Sequence, residues 1–163
     1  MTEIAGLDAH DGKILAELQQ DARITMAELG RRVHLSQPAV TERVRKLELQ
    51  GVIKGYRAVV DYQRLGYGIR ALVRVGRVEY ARMLKLIEQT AEVVNAWNVT
   101  GEDSWMLEIA VIDVGHLDAV LGRFCIVTDT STAIVLNAVR ENAPVLPARR
   151  ENIKPLTRKA TAR

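Results

Sequence analysis

Residues 36–57 hold side chains suited to reading a charged polymer. Gln37, Thr41, Glu42 and Arg45 are candidates for base edges; Ser36, Arg43, Lys46, Lys54 and Arg57 are candidates for phosphates, with Pro38 among them. Amide, hydroxyl, carboxylate and guanidinium groups distinguish base pairs in a DNA major groove. Cations and hydroxyls on phosphates position a protein without reading sequence. The spacing gathers these groups on one surface. Val40, Val44 and Leu47 recur as the buried stripe of a helix. At about 100° per residue, Pro38, Thr41, Glu42 and Arg45 fall opposite that stripe, flanked by Gln37 and Lys46. Glu42 stands four residues before Lys46, so it either accepts from a cytosine or pairs with that lysine. Between residues 31 and 57 seven bases meet two acids, a net +5, whereas the whole chain carries +3. Counterion release from nucleic acid rewards such a concentration.

Two capped helices must position these groups. Thr25 and Glu28 form a T-x-x-E capping box, and Ile24 with Leu29 forms a hydrophobic staple. The arrangement repeats with Ser36 as N-cap, Pro38 in the first turn and Leu35 with Val40 as the staple. The spacing predicts helices over 26–33 and 37–50, the second stopped by Gly51, with only His34 and Leu35 between them. A further helix over 8–20, with Asp8 near its cap, turns Ile14, Leu15 and Leu18 inward. Residues 52–60 read as a strand or β wing that carries Lys54 and Arg57 toward phosphates. The expectation is a winged helix-turn-helix whose second helix enters a major groove. An ordinary helical hairpin is the bland alternative, and the placement of charge argues against it.

Turn-rich residues 61–68 divide the chain, giving a DNA-binding domain over 1–60, a linker over 61–68, a second domain over 69–140 and a basic tail over 141–163. Strands are expected at 69–78, 93–100, 105–112 and 131–139, with a turn at Gly101, Glu102 and Asp103. One helix over 80–90 carries Tyr80, Leu84 and Ile87 on one face. Another is marked by Leu117, Val120, Leu121 and Phe124. The order βαββαβ is that of an α+β, ferredoxin-like domain with helices on one face of a sheet. The third strand is apolar on both faces except at Glu108, which predicts sheet-to-sheet burial in a homodimer, a dimeric α/β barrel.

At 48% hydrophobic content the 163 residues can build cores, and apolar runs stay too short for a membrane span. Residues 2–11 are acidic without an apolar signal region, so the expectation is a cytoplasmic, nucleoid-associated protein without a membrane partner. The single Cys125 follows Phe124 and reads as a core thiol. His10, His34 and His116 fall on three different elements without metal-ligand spacing. That predicts no metal and no catalytic centre, and argues against a small ferredoxin-like enzyme. Net charges of +1, −2 and +4 over residues 1–66, 67–140 and 141–163 make the middle segment a poor DNA ligand. The tail holds Pro144, Pro147, Pro155 and six bases, and reads as an extended or disordered solvated arm, weak salt-sensitive phosphate contacts being the alternative.

Together these features resemble the Lrp/AsnC family, the leucine-responsive or feast/famine transcriptional regulators. The resemblance rests on Leu7-Asp8, Asp11, Ile14-Leu15, Leu18, the run Asp21-Ala22-Arg23-Ile24-Thr25, Glu28-Leu29 and Leu35-Ser36. It continues through Val40, Arg43-Val44, Leu47-Glu48 and the run Gly51-Val52-Ile53-Lys54-Gly55-Tyr56. Farther on it covers Val99-Thr100-Gly101-Glu102 and Thr130-Ser131-Thr132-Ala133-Ile134-Val135-Leu136. Two modules in this order and spacing carry it, from about Leu7 to Arg140.

The resemblance implies a winged helix-turn-helix joined to a ligand-binding domain that dimerises through its sheet, with dimers assembling into octamers or similar discs. It implies no cofactor, but a small effector, commonly an amino acid, bound between dimers. The implied effector residues are Asn98, Thr100, Gly101, Glu102, Asp103, Ser104, Thr130, Ser131 and Thr132. Where the family commonly has Asp three residues after the glycine, this chain has Ser104, and its acids come earlier, at Glu102 and Asp103. DNA wrapping without an effector is the other role such an assembly allows.

Overall fold

A computed structural model describes residues 6–148. They form two compact units. One runs to Ala58 and is rejoined by the segment from Asn142; the other is Val59–Glu141.

The first unit contains α1 (Ala9–Gln20), α2 (Met26–Val33) and α3 (Gln37–Leu49). Asp8 caps α1 by accepting from the N–H groups of His10 and Asp11 at 2.8 and 2.9 Å, and Asp11 accepts from the Asp8 N–H at 3.0 Å. The reciprocal capping box therefore stands here, and the one expected at Thr25 is only half made. Thr25 Oγ1 accepts from the Glu28 N–H at 3.2 Å, but the Glu28 carboxylate turns away to Arg31 and Arg32. Two guanidinium groups offer charge-assisted bonds that a single backbone N–H does not match.

The α2–α3 turn is tight. His34 takes the left-handed conformation with φ 60°, and the Leu35 N–H reaches the Gly30 carbonyl at 2.9 Å. A Cβ on Gly30 would stand 2.7 Å from the Leu35 carbonyl oxygen, so this crossing needs glycine. Ile14, Leu18, Ile24, Leu29, Val33, Val40, Val44 and Leu47 make the core, and both staples end in it.

Residues 52–60 do not form the expected strand. The N–H groups of Val52 and Ile53 both turn back to the Leu47 carbonyl, at 2.9 and 3.1 Å. A strand needs a neighbour for its N–H and C=O groups, and no described strand pairs with this segment. The start of the tail also differs from a solvated arm. The Val145 N–H donates to Gln19 Oε1 at 2.8 Å, and Gln19 Nε2 donates to the Val145 carbonyl at 2.9 Å. The rest of the expected arm, with Pro155 and the six bases, lies outside the described residues.

The second unit has β1 (Ile69–Val75), α4 (Tyr80–Glu88), β2 (Val93–Asn98), β3 (Trp105–Val111), α5 (Val114–Cys125) and β4 (Thr130–Ile134). The strands lie in the order β2-β3-β1-β4, all antiparallel. Ala71, Val73, Val75, Trp105, Leu107, Ile109 and Val111 meet Met83, Leu117, Val120 and Phe124 in one core. On α4 the buried position is Met83, not the expected face of Tyr80 and Leu84, which are 58% and 40% exposed. Tyr80 instead lies over Trp105, ring centres 5.2 Å apart. Cys125 is exposed rather than in the core, its sulfur 3.2 Å from Thr130 Oγ1. β4 ends at Ile134, short of the expected 139, because β1 offers no partner beyond the Val135 bond to the Arg70 carbonyl at 2.8 Å.

Alternation puts Arg70, Leu72 and Arg74 on the other face of the sheet, opposite Ala110, Glu108 and Met106. That face is not uniformly apolar. Arg70 binds Glu108 through Nε at 3.1 Å and Glu141 at 2.6 Å, and it lies over the Tyr62 ring at 4.9 Å. Asn95 Nδ2 donates to the second Glu108 oxygen at 2.7 Å. Glu108, 8% exposed, is thus buried with its charge paired.

Candidate nucleic-acid interface

Gln37, Pro38, Thr41, Glu42, Arg45 and Lys46 are all exposed on α3, opposite the stripe of Val40, Val44 and Leu47. Ser36 Oγ caps the helix, accepting from the Ala39 N–H at 3.4 Å. Thr41 Oγ1 donates to the Gln37 carbonyl at 2.8 Å, which leaves the oxygen's lone pairs facing outward. Glu42 pairs with Arg45, not with Lys46: Arg45 Nε and Nη2 each donate to one Glu42 oxygen at 2.9 Å. The Arg45 hydrogen bonds hold the Glu42 carboxyl below the usual carboxylate range. Both side chains are about half exposed, 59% for Arg45 and 48% for Glu42. Solvent screens such a pair, so a base edge can displace it at small cost.

Arg43, expected on phosphates, is engaged within the helical unit and 32% exposed. It turns inward and bonds Asp8 and Asp11, each at 2.8 Å, tying α3 to the start of α1. The carboxylates at positions 8 and 11 were the sequence signal for this use. Arg31 and Arg32 are likewise occupied, by Glu28 and by Glu17 with Glu28. Lys46, Lys54 and Arg57 are exposed and form no ion pair among the described residues.

In the second unit the β2–β3 hairpin turns at Gly101, whose φ is +127°. Asn98 Nδ2 and the Val99 N–H both donate to the Ser104 carbonyl, at 2.8 and 2.9 Å, and the Ser104 N–H donates to the Val75 carbonyl at 3.0 Å. Thr100, Gly101 and Glu102 are exposed at the tip.

Arg74, absent from the residues expected on sequence grounds, joins the two halves of the candidate effector set. Its Nη1 lies 3.6 Å from Asp103 of the hairpin, and its Nη2 donates to Ser131 Oγ at 3.2 Å. The period-two pattern of β1 was the available signal, since it sets Arg74 apart from Val73 and Val75. Thr130 and Thr132 pair with Val75 and Val73, so their side chains lie on the helix-covered face, away from Ser131. Within one chain the nine candidates therefore do not converge on one pocket. Among the described residues no group of three or more His, Cys, Asp or Glu side chains is placed to hold a metal. Nor is any described helix long and apolar enough to cross a membrane.

Comparison with known proteins places both units. The AsnC-type helix-turn-helix domain matches residues 7–48, and the Lrp/AsnC ligand binding domain matches residues 70–145. An HTH-type transcriptional regulator of Mycobacterium tuberculosis is 38% identical over 145 residues, covering 85% of this chain and 98% of the relative. A leucine-responsive regulatory protein of Rhizobium meliloti is 38% identical over 141 residues, covering 83% and 90%. Among solved structures, a feast or famine regulatory protein from M. tuberculosis, complexed with L-methionine, superposes with a TM-score of 0.80 at 31% identity. That match covers 87% of this chain and 100% of the other. The helix-turn-helix and the four-stranded sheet domain, in this order and at this similarity, make the chain a member of the Lrp/AsnC family of transcriptional regulators.

Proposed function

We propose that this regulator acts as a homodimer, joined through the open sheet face, that lays its two α3 helices in successive major grooves of a roughly palindromic DNA site. Gln37, Thr41, Glu42 and Arg45 read bases. Ser36, Lys46, Lys54 and Arg57 hold phosphates, and Arg43 supports α3 from behind. The observation that carries this reading is the exposed polar face of α3, fixed by its buried stripe in a helix-turn-helix of the matched family. Further assembly to an octamer or similar disc, in the cytoplasm on the nucleoid, completes the proposal.

The effector is an amino acid. The relative complexed with L-methionine supports that class, and the groups around Arg74 suit it. An α-carboxylate takes Arg74, Ser131 or the N–H groups of the Gly101 turn, and an α-ammonium takes Asp103 or Glu102. Binding regulates only through different affinity for two assemblies, which changes the number or spacing of recognition helices on the DNA.

A second role, DNA wrapping without an effector, is favoured by one observation. Glu42 and Arg45 satisfy each other, while Lys46, Lys54 and Arg57 have no ion pair among the described residues and suit sequence-independent binding. Footprinting upstream of the protein's own gene, with and without mixed amino acids, separates the two. Phased protection that shifts with the mixture is expected of the effector-responsive regulator. Phased protection indifferent to every amino acid would establish the wrapping role, and no protection at low salt would overturn self-regulation.

A further inference from the structure

Arg70 is the side chain on which both ends of the second unit meet. That unit begins at Val59 and ends at Glu141. Tyr62, near its beginning, lies beneath the guanidinium with its ring centre 4.9 Å away. Glu141, at its end, accepts from Arg70 Nη2 at 2.6 Å. The two carboxylates on this cation are not alike. Glu108 is buried and also takes the Asn95 amide at 2.7 Å. The Glu141 side chain is 43% exposed and has no second partner among the described residues. Arg70 Nη1 makes no hydrogen bond among the described residues.

These groups border a cleft of about 270 Å³ that lies wholly within the second unit. Its wall includes Arg70 and Glu141 but not Glu108, with Tyr62, Gln63, Tyr67 and Asn137 around them. The connection before β1 forms one side and is ordered by its own bonds. Asp61 Oδ1 accepts from the Gln63 and Arg64 N–H groups at 2.9 and 3.2 Å, and the Tyr67 N–H returns to the Tyr62 carbonyl at 2.9 Å. Tyr62 and Tyr67 meet edge to face, ring centres 6.4 Å apart. A Cβ on Gly68 would stand 2.7 Å from the Ile112 carbonyl oxygen, so the connection is pressed against the end of β3. The volume lies below the roughly 300–1,000 Å³ of sites for drug-sized molecules, so the cleft takes something smaller. Amides and phenols on its wall suit a polar body.

We infer that this cleft is a binding site for a small polar carboxylate, which replaces Glu141 on Arg70 and frees the end of the unit. Glu141 is the internal stand-in for that ligand. Arginine–carboxylate recognition is charge-assisted and directional, and replacing one carboxylate by another leaves the cation balanced. Solvent screens the exposed Glu141 pair, so a solute can exchange with it. The buried Glu108 pair stays, because losing it would strand a charge. The Arg70 hydrogen bond holds the Glu141 carboxyl below its usual range, so Glu141 is ionised and competes at neutral pH. This site is separate from the amino-acid site proposed at Arg74. Arg70 and Arg74 share a face of β1 about 13 Å apart. Asp103 and Ser131, the partners of Arg74, are not on the cleft wall.

Calorimetry on the full-length protein with succinate and L-lactate tests this, with succinamide and lactamide as uncharged controls. Both acids should bind and neither amide should. Glu141→Gln removes the competing carboxylate and keeps every other group on the wall. It should bind the acids about tenfold more tightly, the gain from emptying a site that is mostly filled. In wild type, the carbon NMR signal of the Glu141 carboxyl should move to that of a solvated glutamate as succinate is added. Arg70→Gln should abolish acid binding, but it strands Glu108 in the sheet and threatens the fold, so Glu141→Gln carries the decision. Arg74→Gln should bind the acids as wild type does while losing affinity for L-methionine, which keeps failure here distinct from failure of the effector reading. Equal affinity in wild type and Glu141→Gln would overturn the exchange. Absence of acid binding by Glu141→Gln, or amides binding as well as the acids, would overturn the site. So would loss of acid binding in Arg74→Gln, which would assign the acids to the effector site.

Discussion

Arg43 of α3 donates to Asp11 of α1 at 2.8 Å, and the same Asp11 carboxylate accepts the Asp8 N–H at 3.0 Å. One buried acid thus completes the cap of the first helix and fixes α3 against it. The arrangement explains why this cation on α3 is engaged within the helical unit.

Asp11→Ala removes both bonds at once. Loss of a capping partner costs about 1–2 kcal/mol, and that lowers the melting temperature of the helical unit by several degrees. A thermal melt followed by circular dichroism checks it. An Asp11→Ala protein that melts with wild type would mean that the cap and ion pair contribute nothing.

Arg45 and Glu42 should behave oppositely on DNA. Arg45→Ala is expected to lose roughly ten- to a hundredfold in affinity on the preferred site and to relax preference at one base position. Glu42→Gln frees the guanidinium and removes a negative charge, so affinity for unrelated duplexes should rise. Binding assays on a set of single-base variants of the site decide this, and a uniform loss for Arg45→Ala would move that residue to the phosphates.

Gly30→Ala places a methyl 2.7 Å from the Leu35 carbonyl oxygen. The backbone of the turn must give way, at about 1–3 kcal/mol by analogy with overpacked cores. Denaturant titration should show the helical unit unfolding earlier, and DNA binding should weaken because the angle between α2 and α3 changes.

Tyr56 should ionise above the ordinary tyrosine range. Desolvation of its hydroxyl, and then its bond to Glu48 Oε1 at 2.9 Å, push its pKa up to about 12. A raised folded-state value favours the neutral phenol. The stabilisation is therefore fully present below the unfolded value near pH 10 and is lost as pH rises toward 12. Ultraviolet titration of wild type against Tyr56→Phe should show this late step missing from the variant. A variant curve identical to wild type above pH 10 would contradict the raised value of Tyr56.

On the proposed effector site, Arg74→Gln should weaken amino-acid binding about tenfold, the loss of one charge-assisted bond. The sheet should stay intact, because Arg74 is half exposed and its neighbours Val73 and Val75 carry the packing. Calorimetry with L-methionine and with a panel of other amino acids measures it. Unchanged affinity in a folded variant would place the effector elsewhere.

The amino-acid sequence by itself determined the helix-turn-helix, the buried stripe of α3 and the order of the sheet domain. These follow from periodicity and caps that act over a few residues, where the chain has few alternatives. Tertiary structure decided the partners of the charged groups. Arg43 meets an acid 32 residues away, and Gln19 meets Val145 across 126 residues. No local pattern encodes such encounters, since they depend on how completed elements come together. The same reason removed the strand expected at 52–60. Its residues have β character, but a strand exists only where another offers its N–H and C=O groups, and no described strand does so there. Arg74 stands between the two cases: its face was legible from the alternation of β1, whereas its position between Asp103 and Ser131 required the sheet to be built.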